Sequence, residues 1–284
     1  MTRLQSKIFF CVFSAFFIFC QSGAVARQKV LTAILSTDFK PVSWNNRTIA
    51  QYFYSSKNNI HILKIDLKNP KMHIVSYPSV DDSDSVTDAG FLSGLMLSQF
   101  VRKTNALMAV NTSPYWINTE SQVPATDKKF KILGVHSADK MQFSKPLEKY
   151  PALVMYRTPF GLSAKIASSQ TAAALAAADF AFGGYFLILN GGKKIDFQTE
   201  QFNARTAVGL TASGDELYIL ACKKSPGLSF QECQEIFLSL GCVDAIEFDG
   251  GSSTSFFLKS KEKSVKIQSF LRVNASYMGF LFDD

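Results

Sequence analysis

Short apolar runs bounded by turn residues recur along most of the chain, while helical spacing is confined to three places. Residues 60–67 and 72–77 are β-like segments separated by the turn Lys68-Asn69-Pro70-Lys71. Further strands are predicted at 106–110, 132–135, 152–156, 185–189, 207–210, 217–221, 243–248 and 254–258, with an aromatic strand near 52–54. Phe91, Leu95, Met96, Phe100 and Val101 share a helical face that Asp88 could cap. The Ala-rich stretch 171–178 is predicted to be a helix on propensity. The fullest helix signal spans 230–240: Ser229 and Glu232 form a capping box, Phe230, Cys233, Phe237 and Leu240 share a face, and Gly241 ends it. Many strands with few helices predict an α+β fold, a mixed and mostly antiparallel β-sheet core with a few packed helices, rather than an alternating βαβ array.

The N-terminus departs from this pattern. Arg3 and Lys7 precede the 13-residue uncharged run 8–20, and Ala24-Val25-Ala26 supplies a small-x-small cleavage site. Thirteen residues rise only ~20 Å as a helix, short of the ~30 Å hydrocarbon core, so a cleaved signal over 1–26 is expected and no stable membrane span after it. The expected product is exported, periplasmic or secreted. No repeat, linker or low-complexity run divides the remainder. It is expected to comprise an N-terminal extension, 27–59, packed on a main domain, 60–284, with the acidic stretch 79–88 as a surface connection.

Composition narrows the function classes. The chain has 284 residues, 47% of them hydrophobic, which excludes a disordered chain. A dispersed net charge of +7, or +5 once Arg3 and Lys7 are removed, suits an anionic ligand and is too thin to argue nucleic acid. Loss of the signal also removes Cys11 and Cys20 and leaves Cys222, Cys233 and Cys242, an odd set that cannot form a complete disulfide framework. A Cys222–Cys242 bridge and three buried thiols both remain open. The cysteine spacings match no zinc motif and His61, His73 and His136 are scattered, so no metal and no other cofactor is expected.

Four segments carry candidate chemistry. In Glu247-Phe248-Asp249-Gly250-Gly251-Ser252-Ser253-Thr254, alternation along a strand would place Glu247 and Asp249 on one face, and the glycines would let successive N–H groups converge on an anion. Carboxylates beside an anion pocket suit hydrolysis at a phosphate or glycosidic centre; the other reading is a hairpin turn with solvated acids. Arg205 leads a strand and could fork onto a phosphate or carboxylate, or could be a surface arginine. Asn111-Thr112-Ser113-Pro114-Tyr115-Trp116 follows a buried strand, where polar groups and rings suit a sugar, or simply a turn with two packed aromatics. Gly183-Gly184 enters a strand that ends in the hairpin turn Asn190-Gly191. Asp244 has the opposite strand parity to Glu247, which argues against a cation held by these acids.

In this order the four segments resemble the phosphodiester glycosidase family, which includes the lysosomal N-acetylglucosamine-1-phosphodiester α-N-acetylglucosaminidases and many exported bacterial proteins. The resemblance covers roughly residues 60–284, and its most specific part is the capped helix, Gly241, strand and Asp249-Gly250-Gly251-Ser252 turn in succession. It implies hydrolysis of a sugar-1-phosphodiester, the partner being a phosphate-linked saccharide or envelope glycan. It implies Asp249 as the leading catalytic carboxylate, Arg205 holding phosphate, Asn111 orienting sugar or phosphate, and Gly184, Gly250, Gly251, Ser252, Ser253 and Thr254 lining the site. Glu247 is added from strand geometry as a catalytic partner. Thr112-Ser113-Pro114-Tyr115 stand where the family commonly has glycines and a Phe pair, Glu247 where an uncharged polar residue is usual, and Ser253 where a glycine is. These departures keep two other readings in view: an exported carbohydrate- or envelope-binding protein that retains the fold without turnover, and a general phosphodiesterase. Sequons occur at Asn46, Asn111 and Asn274, and a glycan on a site-lining Asn111 would block the site, which favours a bacterial source.

Overall fold

The strand Arg205–Thr211 is buried at six of its seven positions, and the main sheet is built outward from it. Its even positions, Val208 and Leu210, join Ile246 and Phe248 of the neighbouring chain in the principal apolar core. Its odd positions face the helix Phe230–Ser239, and there Gly209 is required, because an added Cβ would lie 2.5 Å from the Phe237 ring. A strand covered on both faces must be apolar throughout, which is why 207–210 reads as an unbroken hydrophobic run.

The computed structural model describes residues 39–56, 59–87, 90–117, 129–261, 264–268 and 272–283. The expected export signal and the Asp88 cap lie outside the described residues. The main sheet runs in the order Lys40–Trp44, Arg47–Ser55, Ile60–Asp66, Glu216–Cys222, Arg205–Thr211, Cys242–Glu247, Phe186–Asn190, Lys193–Lys194. A five-stranded sheet orders Met141–Ser144, His136–Ala138, Phe180–Gly183, Ala152–Thr158 and Gly161–Ala167. A second five-stranded sheet orders Ser264–Gln268, Ser255–Lys259, Met108–Asn111, Tyr277–Phe282 and Met72–Tyr77. Phe91–Ser93, Lys129–Ile132 and Tyr115–Ile117 form a small fourth sheet. The pairings within all four are antiparallel, so the fold is the expected α+β type.

The core lies where the inner faces of the three larger sheets meet. Leu63, Val208, Ile219 and Ile246 of the main sheet, Leu153, Met155 and Phe182 of the second, and Val110, Phe256, Met278 and Phe280 of the third belong to one buried cluster. Burying each such side chain contributes ~1.5–3 kcal/mol against the entropy of ordering the chain. The helix Leu97–Thr104 seals a separate cluster through Leu97 and Phe100, the latter stacked on Tyr277 at 5.0 Å.

Most predicted elements fall where the pattern places them, and the exceptions have local causes. The helix predicted through Phe91 begins only at Leu97, and Phe91–Ser93 is instead a strand. Gly90 has φ +78, and Gly94 packs so closely that a Cβ there would lie 2.9 Å from the Phe130 ring. The strand predicted at 132–135 is Lys129–Ile132, because Gly134, at φ +82, breaks the run. The acidic stretch contains a 3-10 turn, Val80–Ser85, and buries Asp82, whose carboxylate meets Lys103. Asn190-Gly191-Gly192 makes the expected hairpin, with Gly191 and Gly192 at φ +56 and +76.

Cys222, Cys233 and Cys242 are free and buried, which rules against the Cys222–Cys242 bridge. Cys222 lies opposite Arg205 and Cys242 opposite Thr211, at the two ends of one strand. Six residues of strand separate such positions by about 20 Å, far beyond disulfide reach.

Candidate active site

The strand Cys242–Glu247 leaves the main sheet at Glu247, and Ser255–Lys259 enters the third sheet; the turn joining them carries the acids and hydroxyls singled out above. Two asparagines fix this turn. The Asn111 amide donates to the Asp249 carbonyl at 2.7 Å, and its oxygen accepts from the Ser255 N–H at 2.9 Å and the Thr206 hydroxyl at 3.0 Å. From the other flank the Asn274 amide donates to the Ser253 carbonyl at 2.9 Å, with the Ser255 hydroxyl at 3.1 Å and the Tyr277 hydroxyl at 3.2 Å. Both asparagines are 1% exposed. Tyr277 pairs with Asn111, so both clamps sit at the same end of the third sheet.

This geometry corrects three expectations. The two carboxylates do not share one strand face, because the strand stops at Glu247 and Asp249 is already in the turn, its N–H donating to the Thr112 carbonyl at 2.8 Å. Three of the N–H groups expected to converge on an anion are spent within the fold: those of Gly251, Ser253 and Thr254 donate to the carbonyls of Ala204, Gly250 and Gly251. Asn111 spends its amide on the fold and offers no group to a sugar. The sequons at Asn111 and Asn274 are likewise buried, so neither speaks to the source of the protein.

Arg205 and Glu247 form a buried ion pair, Nη1 to Oε1 at 2.8 Å. Arg205 also donates from Nε to the Leu228 carbonyl at 3.0 Å and from Nη2 to the Gln201 carbonyl at 2.7 Å. The Phe230 ring lies 3.9 Å beneath its guanidinium. Every nitrogen of Arg205 is therefore engaged, and its charge is met by a carboxylate. Glu247 is 3% exposed and lies under Gly250, where a Cβ would come within 2.8 Å of Oε1. Burial pushes its carboxyl up to about 7, with the Arg205 guanidinium acting in the opposite direction.

Asp249 is less deeply covered and hydrogen-bonds through its side chain to Ser253. Burial pushes its carboxyl up to about 6, against the pull of that bond and of the Arg272 charge. Arg272 is half-buried, donates to the Ser252 hydroxyl and sits 5.4 Å from the centre of the Tyr115 ring. The Tyr115 hydroxyl donates to the Val273 carbonyl at 3.1 Å and to the Asn274 side chain at 3.2 Å, and lies 3.3 Å from the Ser253 hydroxyl. Two hydroxyls in this neighbourhood, those of Ser113 and Thr254, are buried with no hydrogen-bond partner among the described residues.

Gly184 serves close packing: a Cβ there would lie 3.0 Å from both the Glu247 carbonyl and the Ile246 side chain. It leads into a wall of rings. Phe186 lies directly opposite Glu247 in the sheet, and Tyr185 and Phe186 are both exposed. Phe186 meets Tyr185 edge-on at 4.5 Å and Phe230 at 5.2 Å, and Tyr150 stacks on Tyr185 at 5.7 Å. Among the described residues, no three His, Cys, Asp or Glu gather as a metal site. Asp244 points to the hairpin and accepts from the Gly191 N–H at 2.8 Å.

Sequence reasoning missed Arg272, this ring wall, and the bracing role of Asn274, seen there only as a sequon. The available signal was that residues just before the last strand share a sheet end with Asn111, but that requires the strand register, which the hydrophobic pattern does not carry.

A family model described as phosphodiester glycosidase matches residues 105–276, and the chain belongs to that family. No curated protein matches the chain in sequence. Among solved structures it is similar to the catalytic domain of zebrafish N-acetylglucosamine-1-phosphodiester alpha-N-acetylglucosaminidase auto-inhibited by its pro-peptide. That similarity has a TM-score of 0.57 at 13% identity, over 85% of this chain and 87% of that one. A Synechocystis protein of unassigned function matches with a TM-score of 0.55 at 13% identity, over 86% of this chain and 61% of that longer one. A Burkholderia pseudomallei K96243 protein, named for its expected export, matches with a TM-score of 0.58 at 11% identity, over 82% of this chain and 75% of that one. At these identities the likeness establishes a shared fold.

Proposed function

We propose that this chain is an exported hydrolase that cleaves a sugar-1-phosphodiester at the bond between the sugar carbon and oxygen, with Asp249 as the reacting carboxylate. The observation that carries the reading is a carboxyl group shifted up to about 6 in a turn clamped by Asn111 and Asn274, beside a half-buried arginine. Membership of the family supports the reaction class, and the pattern at 1–26 supports export.

The chemistry follows from the leaving group. A phosphodiester carries one negative charge and the departing phosphomonoester two, so departure calls for positive charge more than for a proton donor. Water attacks the anomeric carbon, its oxygen bonds to that carbon, its proton passes to Asp249, and the carbon–oxygen electron pair leaves with the phosphate. A carboxyl with a value of about 6 is mostly ionised at pH 7 yet basic enough to accept that proton. Glu247, covered by Gly250 and paired with Arg205, acts as a positioning carboxylate. The exposed rings of Tyr185 and Phe186 offer stacking surface to a sugar of the phosphate-linked saccharide.

The test is sugar release from a panel of sugar-1-phosphodiesters by the purified protein and its Asp249→Asn variant. The expected result is turnover by wild type that falls by about 100-fold or more in the variant, the scale of a lost general base. Saccharide binding by a folded wild type without turnover on any member would instead favour the non-catalytic binding protein.

A further inference from the structure

The two arginines near the acids are in opposite electrostatic states. Arg205 is 6% exposed, has a hydrogen bond from each nitrogen, lies on Phe230 and is neutralised by Glu247 at 2.8 Å. Arg272 is half-buried, donates to the Ser252 hydroxyl, is hydrogen-bonded to the Tyr115 side chain, and forms no ion pair among the described residues, its charge being felt at Asp249. A guanidinium presents five N–H donors in a planar fork that matches phosphate oxygens, and Arg272 keeps most of that fork unspent.

Its surroundings are preorganised. The Arg272 carbonyl accepts from the Gln268 amide at 2.9 Å, the Val273 carbonyl accepts from Tyr115 at 3.1 Å, and Asn274 is pinned by the turn itself. Below the guanidinium the Tyr115 ring is held edge-on by Phe130 at 5.2 Å. The Ser252 hydroxyl accepts from Arg272, and the Ser253 side chain, 3.3 Å from the Tyr115 hydroxyl, hydrogen-bonds Asp249.

We infer that Arg272, with the Ser252 hydroxyl, forms the phosphate subsite of this centre, and that Arg205 is a positioning residue for Glu247. The assignment rests on the phosphodiester reading above and replaces the expectation that Arg205 holds the phosphate. A phosphate bound there takes the Arg272 fork on its non-bridging oxygens, with Ser252 rotating to donate to the anion. The anomeric carbon then faces Asp249, and the charge that grows on the departing phosphate is met by the Arg272 guanidinium beside it.

The experiment uses inorganic phosphate as the probe, by titration calorimetry, on wild type, Arg272→Ala and Arg272→Lys, with turnover of the best sugar-1-phosphodiester measured in parallel. Arg272→Ala is expected to weaken phosphate binding and lower kcat/KM by about 10- to 100-fold, the scale of charge-assisted hydrogen bonds. Arg272→Lys is expected to recover part of the affinity, because it keeps the charge and loses the fork. A half-exposed arginine far from the main core leaves the thermal transition close to wild type, which separates these effects from misfolding. Phosphate affinity unchanged in Arg272→Ala, or no phosphate binding by wild type, overturns the subsite. Turnover that survives Arg272→Ala also overturns it while leaving the hydrolase reading intact, whereas phosphate binding lost in Arg272→Ala with no turnover by wild type keeps the anion site and removes the reaction.

Discussion

Replacing Asp249 by asparagine is expected to stabilise the protein at alkaline pH while lowering the proposed turnover by about 100-fold or more. The carboxyl has an ordinary value of 3.8 and is raised to about 6 in the fold by burial. A carboxyl raised in the folded state contributes its full stability below pH 3.8, where both states hold the proton. That contribution is lost as pH rises through about 6, because the folded chain must then ionise a group that burial disfavours. About two pH units at 1.36 kcal/mol each put the cost at roughly 3 kcal/mol above pH 7. Asparagine keeps the shape and an oxygen that accepts from Ser253, and it carries no charge at any pH. Urea unfolding of wild type and Asp249→Asn should therefore nearly coincide at pH 3.5 and diverge at pH 8, with the variant about 3 kcal/mol more stable. In a domain of this size that is a rise of roughly 6–12 °C in Tm. Equal pH dependence in the two proteins, or a variant less stable at pH 8, would refute the buried-acid argument.

Three further outcomes follow from the same geometry. Arg205→Met leaves Glu247 buried without its partner and should cost about 3–5 kcal/mol at pH 8 and less at pH 5, where Glu247 holds its proton; adding Glu247→Leu should recover much of the loss in the same urea titration. Gly250→Ala places a Cβ 2.8 Å from Glu247 Oε1 and 3.0 Å from the Ala204 carbonyl, so the turn must shift; turnover should fall by up to about 100-fold with little change in far-UV circular dichroism. Burial pushes the Cys222 and Cys242 thiols up to about 12 and Cys233 well above its usual range, so alkylation mapped by mass spectrometry should leave all three unmodified in the native protein and label all three in urea.

The legible part of this protein was whatever local pattern encodes. The helix Phe230–Ser239 was readable because Ser229, Glu232 and Gly241 act within a few residues of one another, and the hairpin at Gly191-Gly192 because a turn is local too. The family-bearing turn was visible from Asp249 to Thr254. What local pattern could not carry was how distant segments spend their polar groups. Arg205 and Glu247 are 42 residues apart, and their pairing depends on the register that sets Ala207 opposite Glu247. Asn111 is read equally well as a ligand or a brace until the turn 138 residues away is seen to take its amide. Arg272 carried no signal at all, since an arginine before a strand is ordinarily a solvated side chain. The helix misplaced at Phe91 has the same origin: Gly94 is there because the Phe130 ring arrives from another strand.

In the proposed reaction a carboxylate-activated water attacks the sugar carbon of a phosphodiester. Hydrolysis of the best sugar-1-phosphodiester in oxygen-18 water, with mass spectrometry of both products, tests it most directly. The label is expected in the released sugar, with unlabelled phosphate; label in the phosphate would place the cleavage at phosphorus and rule out attack at carbon.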